Sequence, residues 1–568
     1  MDRLLQLTRR NIDMLKEDVS IFMSCYPDTA AGWQNGVYHE RERKEYGLVN
    51  GQPDVKASEE SLNIPGKWLE ERDNGVFIRT RMWTETEDTG FGIYAYVDGP
   101  AFGIPTGLKD VKITVTLSNP TQTEQKVSCF ANDILKINGE SLAAGQSSAQ
   151  FSFDLYSIEE NTVLRLFVPT DAKKKEDAGI FEIIVNDISF EQLPAKSPKE
   201  KPTIFLASDS TVQSYDRFHY PQAGWGQVLY RFFNNGDLTE EQMSPDMMYP
   251  QNHIYDTPGV TIENRSIGAR SARSFINEGK WDGLLARTAP GDFCFIQWGH
   301  NDATAVRPNR YVAPADFSYW LKKYTHSCRA RGVVPVLVTP IARRNCDNAN
   351  GTFVASFGKY ADVMKALGKE ENVPVIDLCG LSVDYLNKIG PEESKLIYLW
   401  AAPDAYPDSA YAGGVSDNTH LQEYGATMYA KLVAGAILDS DNSEFDVLKP
   451  LINTEFKISK PALCADPIPA DSSSPQNFAM QELHIENNVA SFLLTFSDVE
   501  GAVKYRVFRK GSVDFQFFPL REVSAEEKAN ATVLPFTIPA SDVYQIYVAA
   551  VFADGSEGAP SRTIEFRA

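Results

Sequence analysis

The sequence predicts a multidomain protein in which an α/β/α three-layer core with a parallel sheet is flanked by a β-sandwich on each side. In the middle of the chain, short apolar runs alternate with amphipathic helical stretches, whereas the runs on either side alternate apolar and polar residues between turn signals. The 568 residues suffice for about three domains. The predicted units are a helix and irregular segment at 1–60, a β-sandwich at 61–193, a linker at 194–202, the α/β core at 203–440, a second linker at 441–476 and a second sandwich at 477–568.

The first third of the chain predicts a short helix followed by the first sandwich. Apolar residues between Leu4 and Val19 recur at helical spacing, and polar sequence without a period follows them. Alternating runs at Val76–Thr80, Val111–Leu117 and Phe181–Val185 predict the strands of the sandwich. The sequence leaves open whether this unit binds carbohydrate or shields an active site.

The α/β core begins after the proline-rich segment 194–202, which has no apolar period and therefore predicts a linker. Strands and helices then alternate, which predicts a parallel sheet covered on both faces. Pro335 in the fourth strand indicates a strand start or a sheet edge. The predicted strands are 203–207, 260–264, 293–297, 333–338 and 373–377, and the predicted helices lie near 313–331 and 359–371.

Ser210 is a candidate nucleophile, because the stretch Ala207–Thr211 directly follows the first core strand. The carboxyl end of a buried parallel strand is where open α/β sheets present chemistry. A serine hydroxyl is a weak nucleophile unless a base accepts its proton and hydrogen-bond donors stabilise the oxyanion. The assignment therefore requires both kinds of group elsewhere in the chain.

His420 is the candidate base. The segment Asp417–His420 lies between a flexible glycine pair and the apolar-periodic stretch 421–438, which predicts a junction between a loop and a helix. Asp417 can accept the ring N–H of His420, which fixes the tautomer and stabilises the imidazolium. The alternative is an Asp that caps the helix beside an ordinary surface histidine.

Two further segments supply candidate oxyanion donors. Asn301 follows the apolar run 293–297 and projects from a predicted strand end. The segment 264–271 contains small residues that let backbone N–H groups face a ligand. With the N–H of Ser210 itself, these groups would provide three donors.

Four blocks, ASDST, NRSIGARSARSF, QWGHND and DNTH, occur in an order and spacing that resemble the SGNH (GDSL-type) hydrolases, most closely the rhamnogalacturonan acetylesterase branch. The resemblance spans about residues 202–440 and implies a flavodoxin-like three-layer core. It implies Ser210 as nucleophile, His420 as base, Asp417 as its orienting partner and Asn301 as oxyanion donor. It also implies two-step ester hydrolysis, and we expect no metal or organic cofactor, since no HExxH, paired CxxC or phosphate-loop motif occurs.

Two positions depart from the family pattern. Ala269 stands where the family has an oxyanion glycine, and Gly268 precedes it, so both residues remain candidates for the backbone N–H donor. Ser208 stands where the family usually has glycine. Either the strand end accommodates this serine or the serine displaces Ser210.

The end of the chain predicts a linker and a second β unit. Sequence rich in Pro and Ser around 467–475 predicts the linker. The runs 490–496, 505–509 and 544–551 resemble strands of a fibronectin type III sandwich of about 100 residues. Because such modules usually act as spacers or docking surfaces, we expect no chemistry from this unit.

Charge and cysteine content restrict the partners and the compartment. A net charge of −21 argues against binding to nucleic acid or to anionic membranes, and no apolar run reaches the roughly 18 residues of a membrane span. Seven cysteines without a close pair indicate reduced thiols, and the first twenty residues lack the apolar region of a secretory signal. We therefore expect a cytoplasmic protein, whose oligomeric state the sequence leaves open.

The expected partner is an acetylated oligosaccharide. Arg270 and Arg343, on predicted strand-end loops, are candidates for binding galacturonate carboxylates, or they pair with the abundant acidic side chains. His300 is a candidate for sugar binding or for a structural role. Trp400 is a candidate for stacking on a sugar ring, or it packs within its own domain.

Three functions are consistent with these features. The leading hypothesis is a serine esterase that removes acetyl groups from pectic, rhamnogalacturonan-type oligosaccharides. A second hypothesis keeps this chemistry but takes acetylated xylan or another neutral glycan as substrate. A third is a glycan-binding protein whose hydrolase core has lost activity, for which the departures at Ser208 and Ala269 are the argument.

Overall fold

The structure, a computed structural model, contains three units that follow one another along the chain. It describes residues 69–72, 74–86, 93–132, 134–145, 148–244, 252–305, 307, 310–347, 352–403, 405–461, 473–486, 489–511, 517–531, 533–540 and 543–567, together with five short strands between residues 20 and 53. The helix predicted between Leu4 and Val19 lies outside these residues. Within the described part of the chain, no helix combines the length and the apolar character needed to span a membrane.

The first unit is built around one continuous antiparallel sheet of ten strands. Its path runs β11-β10-β13-β8-β7-β14-β9-β12, with β1 beside β8 and β6 beside β7, and the predicted β-sandwich stays a prediction for this unit. Both halves of this path bury side chains in one shared apolar core. The strands are β1 Ser20–Tyr26, β2 Gly32–Gln34, β3 Val37–His39, β4 Leu48–Val49, β5 Gln52–Pro53, β6 Leu69–Arg72, β7 Gly75–Thr86, β8 Ile93–Ile104, β9 Asp110–Ser118, β10 Gln125–Ala131, β11 Ile134–Leu142, β12 Ala149–Tyr156, β13 Thr162–Phe167 and β14 Ile180–Gln192.

The sheet includes a strand, β1, from the segment 1–60, which is predicted to hold a helix and irregular sequence. Strand β1 pairs antiparallel with β8, with Ser20 opposite Gly103 and Tyr26 opposite Val97. The boundary predicted at residue 61 is therefore too late for this sheet. Pairing with a distant strand stabilises β1, and a local hydrophobic period does not report such pairing.

The second unit is the α/β core. Its seven-stranded sheet has the order β16-β17-β18-β15-β19-β20-β23, in which β18, β15, β19, β20 and β23 are parallel. The strands are β15 Thr203–Ala207, β16 Glu240–Met243, β17 His253–Asp256, β18 Thr261–Asn264, β19 Phe293–Ile296, β20 Val334–Val338, β21 Cys346–Asp347, β22 Thr352–Phe353, β23 Val375–Ile376, β24 Tyr398–Ala401 and β25 Val415–Leu421. The helices are α1 Trp225–Val228, α2 Ala272–Asn277, α3 Lys280–Leu285, α4 Pro314–Arg329, α5 Gly358–Glu371, α6 Leu378–Glu393 and α7 Glu423–Asp439.

Alternate residues of the parallel strands enter two separate apolar cores. Ile204 and Leu206 of β15 pack with α1, α6 and α7, whereas Phe205 and Ala207 pack with α2, α3, α4 and α5. The two-residue period of a strand thus fills both faces of the sheet, which gives the three layers.

Pro335 lies at the start of β20, as one of its two predicted positions has it, and β20 is not an edge strand. It is the second residue of β20, which pairs with β19 on one side and with β23 on the other. The Val334 N–H donates to the Asp292 carbonyl oxygen, directly before β19, and the Leu337 N–H donates to the Pro374 carbonyl oxygen, directly before β23. Because successive backbone N–H positions of a strand alternate between its two neighbours, the backbone nitrogen of Pro335 faces the β23 side. Strand β23 begins opposite Leu337, so no ladder bond is lost at the proline.

Both predicted linkers are attached to the core. Lys196 Nζ donates to three main-chain carbonyl oxygens of residues 285–288, and Lys199 forms an ion pair with buried Asp292. Beyond α7, the predicted linker contains Phe445 and Leu448, which are buried in the apolar core that packs on α7. The core unit therefore extends past residue 440, because these two side chains complete its packing.

The third unit is a two-sheet β-sandwich. One sheet has the order β26-β27-β30 and the other β29-β28-β31-β32, and their facing sides enclose one apolar core. The fibronectin type III resemblance remains a prediction for this unit. The elements are β26 Ala479–Glu486, β27 Val489–Thr495, β28 Ala502–Gly511, β29 Phe518–Ser524, α8 Ala525–Asn530, β30 Leu534–Pro539, β31 Val543–Phe552 and β32 Ile564–Arg567.

Two glycines of α7 provide a matched test of the packing beside β24. An ideal Cβ on Gly425 would lie 1.9 Å from the Ile397 carbonyl oxygen, whereas one on Gly435 would have no heavy atom within 4 Å. We expect Gly425→Ala to destabilise the core unit by about 2–3 kcal/mol through overpacking. We expect Gly435→Ala to be neutral or to stabilise it by up to about 1 kcal/mol, because alanine favours a helix. Thermal unfolding midpoints check this, and a Gly425→Ala midpoint at or above that of the unmodified protein would contradict the close approach.

Candidate active site

Ser210 lies in a tight turn at the carboxyl end of β15. The Asp209 carbonyl oxygen accepts from the N–H groups of Val212 and Gln213, which turns the chain back immediately after the strand. The turn leaves Ser210 half-buried, although Ser208 and Asp209 are buried. The Ser208 hydroxyl donates to the Gln297 carbonyl oxygen at 2.7 Å. The strand end thus accommodates the departure at Ser208.

The side chains of Ser210, His420 and Asp417 form one hydrogen-bonded line. His420 Nε2 lies 2.9 Å from Ser210 Oγ, and His420 Nδ1 lies 2.8 Å from Asp417 Oδ2. The other carboxylate oxygen, Asp417 Oδ1, accepts the backbone N–H groups of Thr419 and His420 at 2.7 and 3.0 Å. The carboxylate is therefore held by its own turn while it orients the imidazole ring.

The segment 417–420 is not the loop that the sequence predicts. It lies within β25, and the pairing of β25 with β24 is irregular there: Trp400 pairs with Ser416 and Tyr398 with Leu421. The residues between these pairs bulge out of the ladder, as is common beside active sites. The bulge and the start of α7 at Glu423 together place His420 opposite Ser210.

A second Asp-x-x-His pair shows what the spacing alone provides. Asp216 Oδ1 lies 2.8 Å from His219 Nδ1, the same distance as in the Asp417–His420 pair. These side chains are 63% and 40% exposed, compared with 13% and 23% for Asp417 and His420. The spacing therefore produces the same hydrogen bond at two places, but of these two pairs it is Asp417–His420 that contacts a serine hydroxyl.

The surroundings of Asp417 favour its ionised form. Burial would raise the pKa of the carboxyl group, but the adjacent His420 ring and the Lys510 ammonium group together hold this pKa well below its ordinary value. Asp417 is consequently a carboxylate throughout the neutral range, as an orienting partner of an imidazolium must be.

The predicted oxyanion donors converge beside Ser210, and the structure separates the two alternatives. The Gly268 N–H donates to Gln213 Oε1, whereas the Ser210 and Ala269 N–H groups donate to no group among the described residues. Asn301 Nδ2 donates to the Arg270 carbonyl oxygen at 2.8 Å and has a second hydrogen to offer. The N–H groups of Ser210 and Ala269 and the Asn301 amide are thus the available donors, with Gly268 excluded.

Ala269 reaches this position through an unusual backbone conformation. Its φ is +66°, in the left-handed region that favours glycine. The Arg310 guanidinium, which is buried, donates to the Ala269 carbonyl oxygen at 3.2 Å and holds the peptide in place. A non-glycine residue with positive φ persists where surrounding contacts impose it, which is common at functional sites.

Two residues predicted to bind substrate carboxylates are engaged within the protein. Arg270 donates to Glu278 Oε2 from Nε and Nη2 at 3.0 and 2.9 Å, so the alternative of pairing with an acidic side chain applies. Arg343 is 3% exposed, and its guanidinium lies 4.9 Å from the centroid of the Phe357 ring. Packing and pairing thus occupy both charged groups in this geometry, and substrate binding by the two arginines stays a prediction.

His300 and Trp400 both contact groups of their own domain. His300 is buried, its Nε2 contacts the Ile341 carbonyl oxygen at 3.1 Å, and burial lowers its pKa to about 4. Trp400 is half-buried beside the Arg344 guanidinium, and its Nε1 donates to Asn418 Oδ1 at 3.0 Å. Burial closes His300 off from a sugar, whereas stacking of the half-buried Trp400 on a sugar ring stays a prediction.

Several contributors to the site went unnoticed in the sequence. Gln213 binds the Gly268 N–H, and the Tyr215 hydroxyl donates to the Ser210 carbonyl oxygen at 2.8 Å. Their positions directly after the block ASDST are the only signal that could have identified them. Lys510, in the C-terminal sandwich, had no such signal, because nothing local relates it to Asp417.

Comparisons with known proteins show what the chain is similar to. No protein-family model matches the chain. The chain is 36% identical over 239 residues to rhamnogalacturonan acetylesterase RhgT of Bacillus subtilis. The aligned region covers 42% of this chain and 90% of that protein. It is also 34% identical over 235 residues to the probable rhamnogalacturonan acetylesterase YesY of the same organism. This aligned region covers 41% of this chain and 91% of that protein.

Among solved structures, the Bacillus subtilis protein YxiM aligns over 63% of this chain and 87% of its own, at 21% identity and a TM-score of 0.34. The two sequence relatives exceed 30% identity over nearly their whole lengths, so the relationship includes their complete folds. The chain is therefore a carboxylic ester hydrolase that belongs to the rhamnogalacturonan acetylesterase-like SGNH (GDSL-type) hydrolases.

Proposed function

We propose that the chain is a serine carbohydrate esterase that removes O-acetyl groups from pectic, rhamnogalacturonan-type oligosaccharides through an acyl-enzyme. The hydrogen-bonded line from Ser210 through His420 to Asp417 carries this proposal. The two curated relatives that bear the name rhamnogalacturonan acetylesterase support the substrate class. We further propose that the protein acts in the cytoplasm and that its substrates are short oligosaccharides.

Acylation begins at the hydroxyl of Ser210. As Oγ attacks the acetyl carbonyl carbon, His420 Nε2 accepts the hydroxyl proton, and the Asp417 carboxylate stabilises the resulting imidazolium through Nδ1–H. The tetrahedral oxyanion receives hydrogen bonds from the backbone N–H groups of Ser210 and Ala269 and from the Asn301 amide. The imidazolium then protonates the departing sugar oxygen, which leaves an acetyl-enzyme.

Deacylation uses the same groups in reverse. A water molecule loses a proton to His420 as it attacks the acetyl carbonyl carbon. The new oxyanion accepts hydrogen bonds from the same three donors. Collapse of this second intermediate returns the proton to Ser210 Oγ and releases acetate. Each oxyanion donor contributes a factor of about 10²–10³ in such reactions.

Exposed aromatic side chains beside the site support a glycan substrate. Phe218 and Tyr220 are 60% and 48% exposed. Their segment begins at Tyr215, whose hydroxyl contacts the Ser210 carbonyl oxygen. The Ala410 N–H donates to the Phe218 carbonyl oxygen, and the Tyr220 and Tyr406 rings meet edge to face at 5.4 Å. Flat apolar rings at this position suit the apolar faces of sugar rings.

A neutral glycan is the second candidate substrate. The engagement of Arg270 by Glu278 and the burial of Arg343 remove two cations that a galacturonate-containing substrate would use. This observation favours acetylated xylo-oligosaccharides. The third hypothesis, a glycan-binding protein with an inactive core, loses its argument because the structure accommodates both Ser208 and Ala269.

Acetate release from two substrates decides between the first two candidates. Acetylated rhamnogalacturonan fragments and acetylated xylo-oligosaccharides of similar length are compared at equal acetyl concentration. We expect a kcat/KM at least about tenfold higher for the rhamnogalacturonan fragments, which corresponds to about 1.4 kcal/mol of discrimination. A preference of the same size for the xylo-oligosaccharides would reassign the substrate to a neutral glycan.

Ser210→Ala tests the nucleophile. We expect the turnover of p-nitrophenyl acetate to fall by at least about 10³-fold, because no hydroxyl remains to form the acyl-enzyme. The matched control is Ser208→Ala, two residues earlier on the same strand end, which removes a buried hydroxyl bonded to the Gln297 carbonyl oxygen. It should keep kcat within about threefold. Turnover by Ser210→Ala equal to that of the control would refute the mechanism.

Phe218→Ala tests the aromatic contact with sugar. We expect KM for the acetylated oligosaccharide to rise about five- to tenfold, the loss expected for an aromatic contact of about 1 kcal/mol. The kinetics with p-nitrophenyl acetate, which has no sugar ring, should stay within about twofold. Tyr319→Ala serves as control, since Tyr319 is an aromatic residue of α4 that is 38% exposed. Equal effects of both variants on the oligosaccharide KM would remove Phe218 from the binding surface.

A further inference from the structure

The C-terminal sandwich contacts the α/β core behind Asp417. A cavity of about 20 Å³ lies between the two units, large enough for about one water molecule. The core contributes Arg343, Asn345 and the segment 417–419 to its wall. Lys510, Gly511, Gln545 and Glu565 of the sandwich form the rest of the wall.

A chain of hydrogen bonds crosses this contact next to Asp417. Asn418 Nδ2 donates to Glu565 Oε2, and Gln545 Nε2 donates to the same oxygen at 2.9 Å. On the core side, Asn418 Oδ1 accepts from Trp400 Nε1 at 3.0 Å, and the Asn418 carbonyl oxygen accepts from the Arg344 N–H at 2.9 Å. The residue that follows Asp417 is thus held from both units.

Lys510 brings a positive charge to the same place. It is the penultimate residue of β28, and it is 8% exposed. Lysine is rarely buried unless an opposite charge compensates it. The Asp417 carboxylate lies on the wall of the same cavity, and the two charges stabilise each other.

The sandwich is additional to the unit shared with the relatives. The match to the Bacillus subtilis acetylesterase includes 90% of that protein but 42% of this chain. More than half of this chain therefore has no counterpart there. In this chain, two units meet at the segment that carries Asp417.

We propose that the C-terminal sandwich completes the esterase site by supplying Glu565 and Lys510 as positioning residues for Asp417. Glu565 acts through Asn418 and holds the bulge that carries Asp417 and His420. Lys510 acts through its charge on the carboxylate. This role rests on the proposed function of Ser210, His420 and Asp417 as the hydrolytic groups.

Other charged or titratable groups also lie around the Asp417–His420 pair. Each is retained in the variants below, so that only the tested charge or hydrogen bond changes. These groups are Arg343 and Arg344 after β20, Asp209 and His300 at the ends of β15 and β19, Tyr215 after Ser210, and Tyr411 before β25.

The test of Lys510 is the pH dependence of kcat/KM for p-nitrophenyl acetate. The Lys510 ammonium group stabilises the ionised Asp417 carboxylate, so its removal in Lys510→Met raises the pKa of that carboxyl group. We expect the acidic limb of the profile to move up by about 0.5–1 pH unit. Lys510→Arg, which keeps the charge, should restore the position of the limb. The control is Lys504→Met, an exposed lysine of the same strand that pairs with Glu522.

The test of Glu565 is a separation of kcat from KM. We expect Glu565→Ala to lower kcat about tenfold and to leave KM within about twofold, since the lost hydrogen bond positions the base and not the substrate. Glu565→Gln retains an oxygen acceptor for Asn418 and should keep kcat within about threefold. Asn418→Ala removes the same bond from the core side, and it decides the result if Glu565→Ala unfolds the sandwich. The control is Glu522→Ala, on the exposed side of the same unit.

The outcomes separate this proposal from the proposed function. If the acidic limb of the pH profile lies at the same pH in Lys510→Met and in Lys504→Met, the proposed role of Lys510 is overturned. If Glu565→Ala and Asn418→Ala both have the same kcat as Glu522→Ala, the proposed role of Glu565 is overturned. If Ser210→Ala is inactive in the same assays, either result counts against the sandwich alone. Activity in Ser210→Ala would instead count against the hydrolytic mechanism.

Discussion

The 2.9 Å contact between Ser210 Oγ and His420 Nε2 is the interaction on which the rest of the site depends, and it joins residues 210 positions apart. Two separate pieces of architecture meet there. One is the parallel sheet, whose strand β15 delivers Ser210 at its carboxyl end. The other is the pair β24–β25 with α7, which delivers His420. A proton transfer between these groups requires both pieces to hold their positions to within a few tenths of an ångström.

Close backbone packing secures the second piece. Gly425 in the first turn of α7 allows the helix to lie against the Ile397 carbonyl oxygen, directly before β24. The Glu423 N–H donates to the Pro221 carbonyl oxygen, and the Ala223 N–H to the Leu421 carbonyl oxygen. The segment after Ser210 and the segment around His420 are thus tied together by main-chain hydrogen bonds. Side-chain geometry at the site follows from this backbone framework.

The two β units attach to the core in different places. The first unit contacts helices on one face of the sheet, where Asp282 of α3 accepts the Tyr156 N–H and Arg331 after α4 forms an ion pair with Asp110. The C-terminal sandwich contacts the bulge of β25 that carries Asp417. The first arrangement supports the scaffold, whereas the second places charged groups next to the reacting ones.

The amino-acid sequence by itself identified the three side chains that meet at the candidate site and the segments that form the central sheet. The strands predicted at 203–207 and 293–297 match β15 and β19 closely, because buried parallel strands are continuous apolar runs. Tertiary structure decided the rest: the pairing of β1, the burial of Phe445, the bulge at Asp417, and the choice of Ala269 over Gly268 as donor. Each of these depends on partners far away in the chain, such as Gln213 for Gly268, and local patterns of polarity carry no information about such partners.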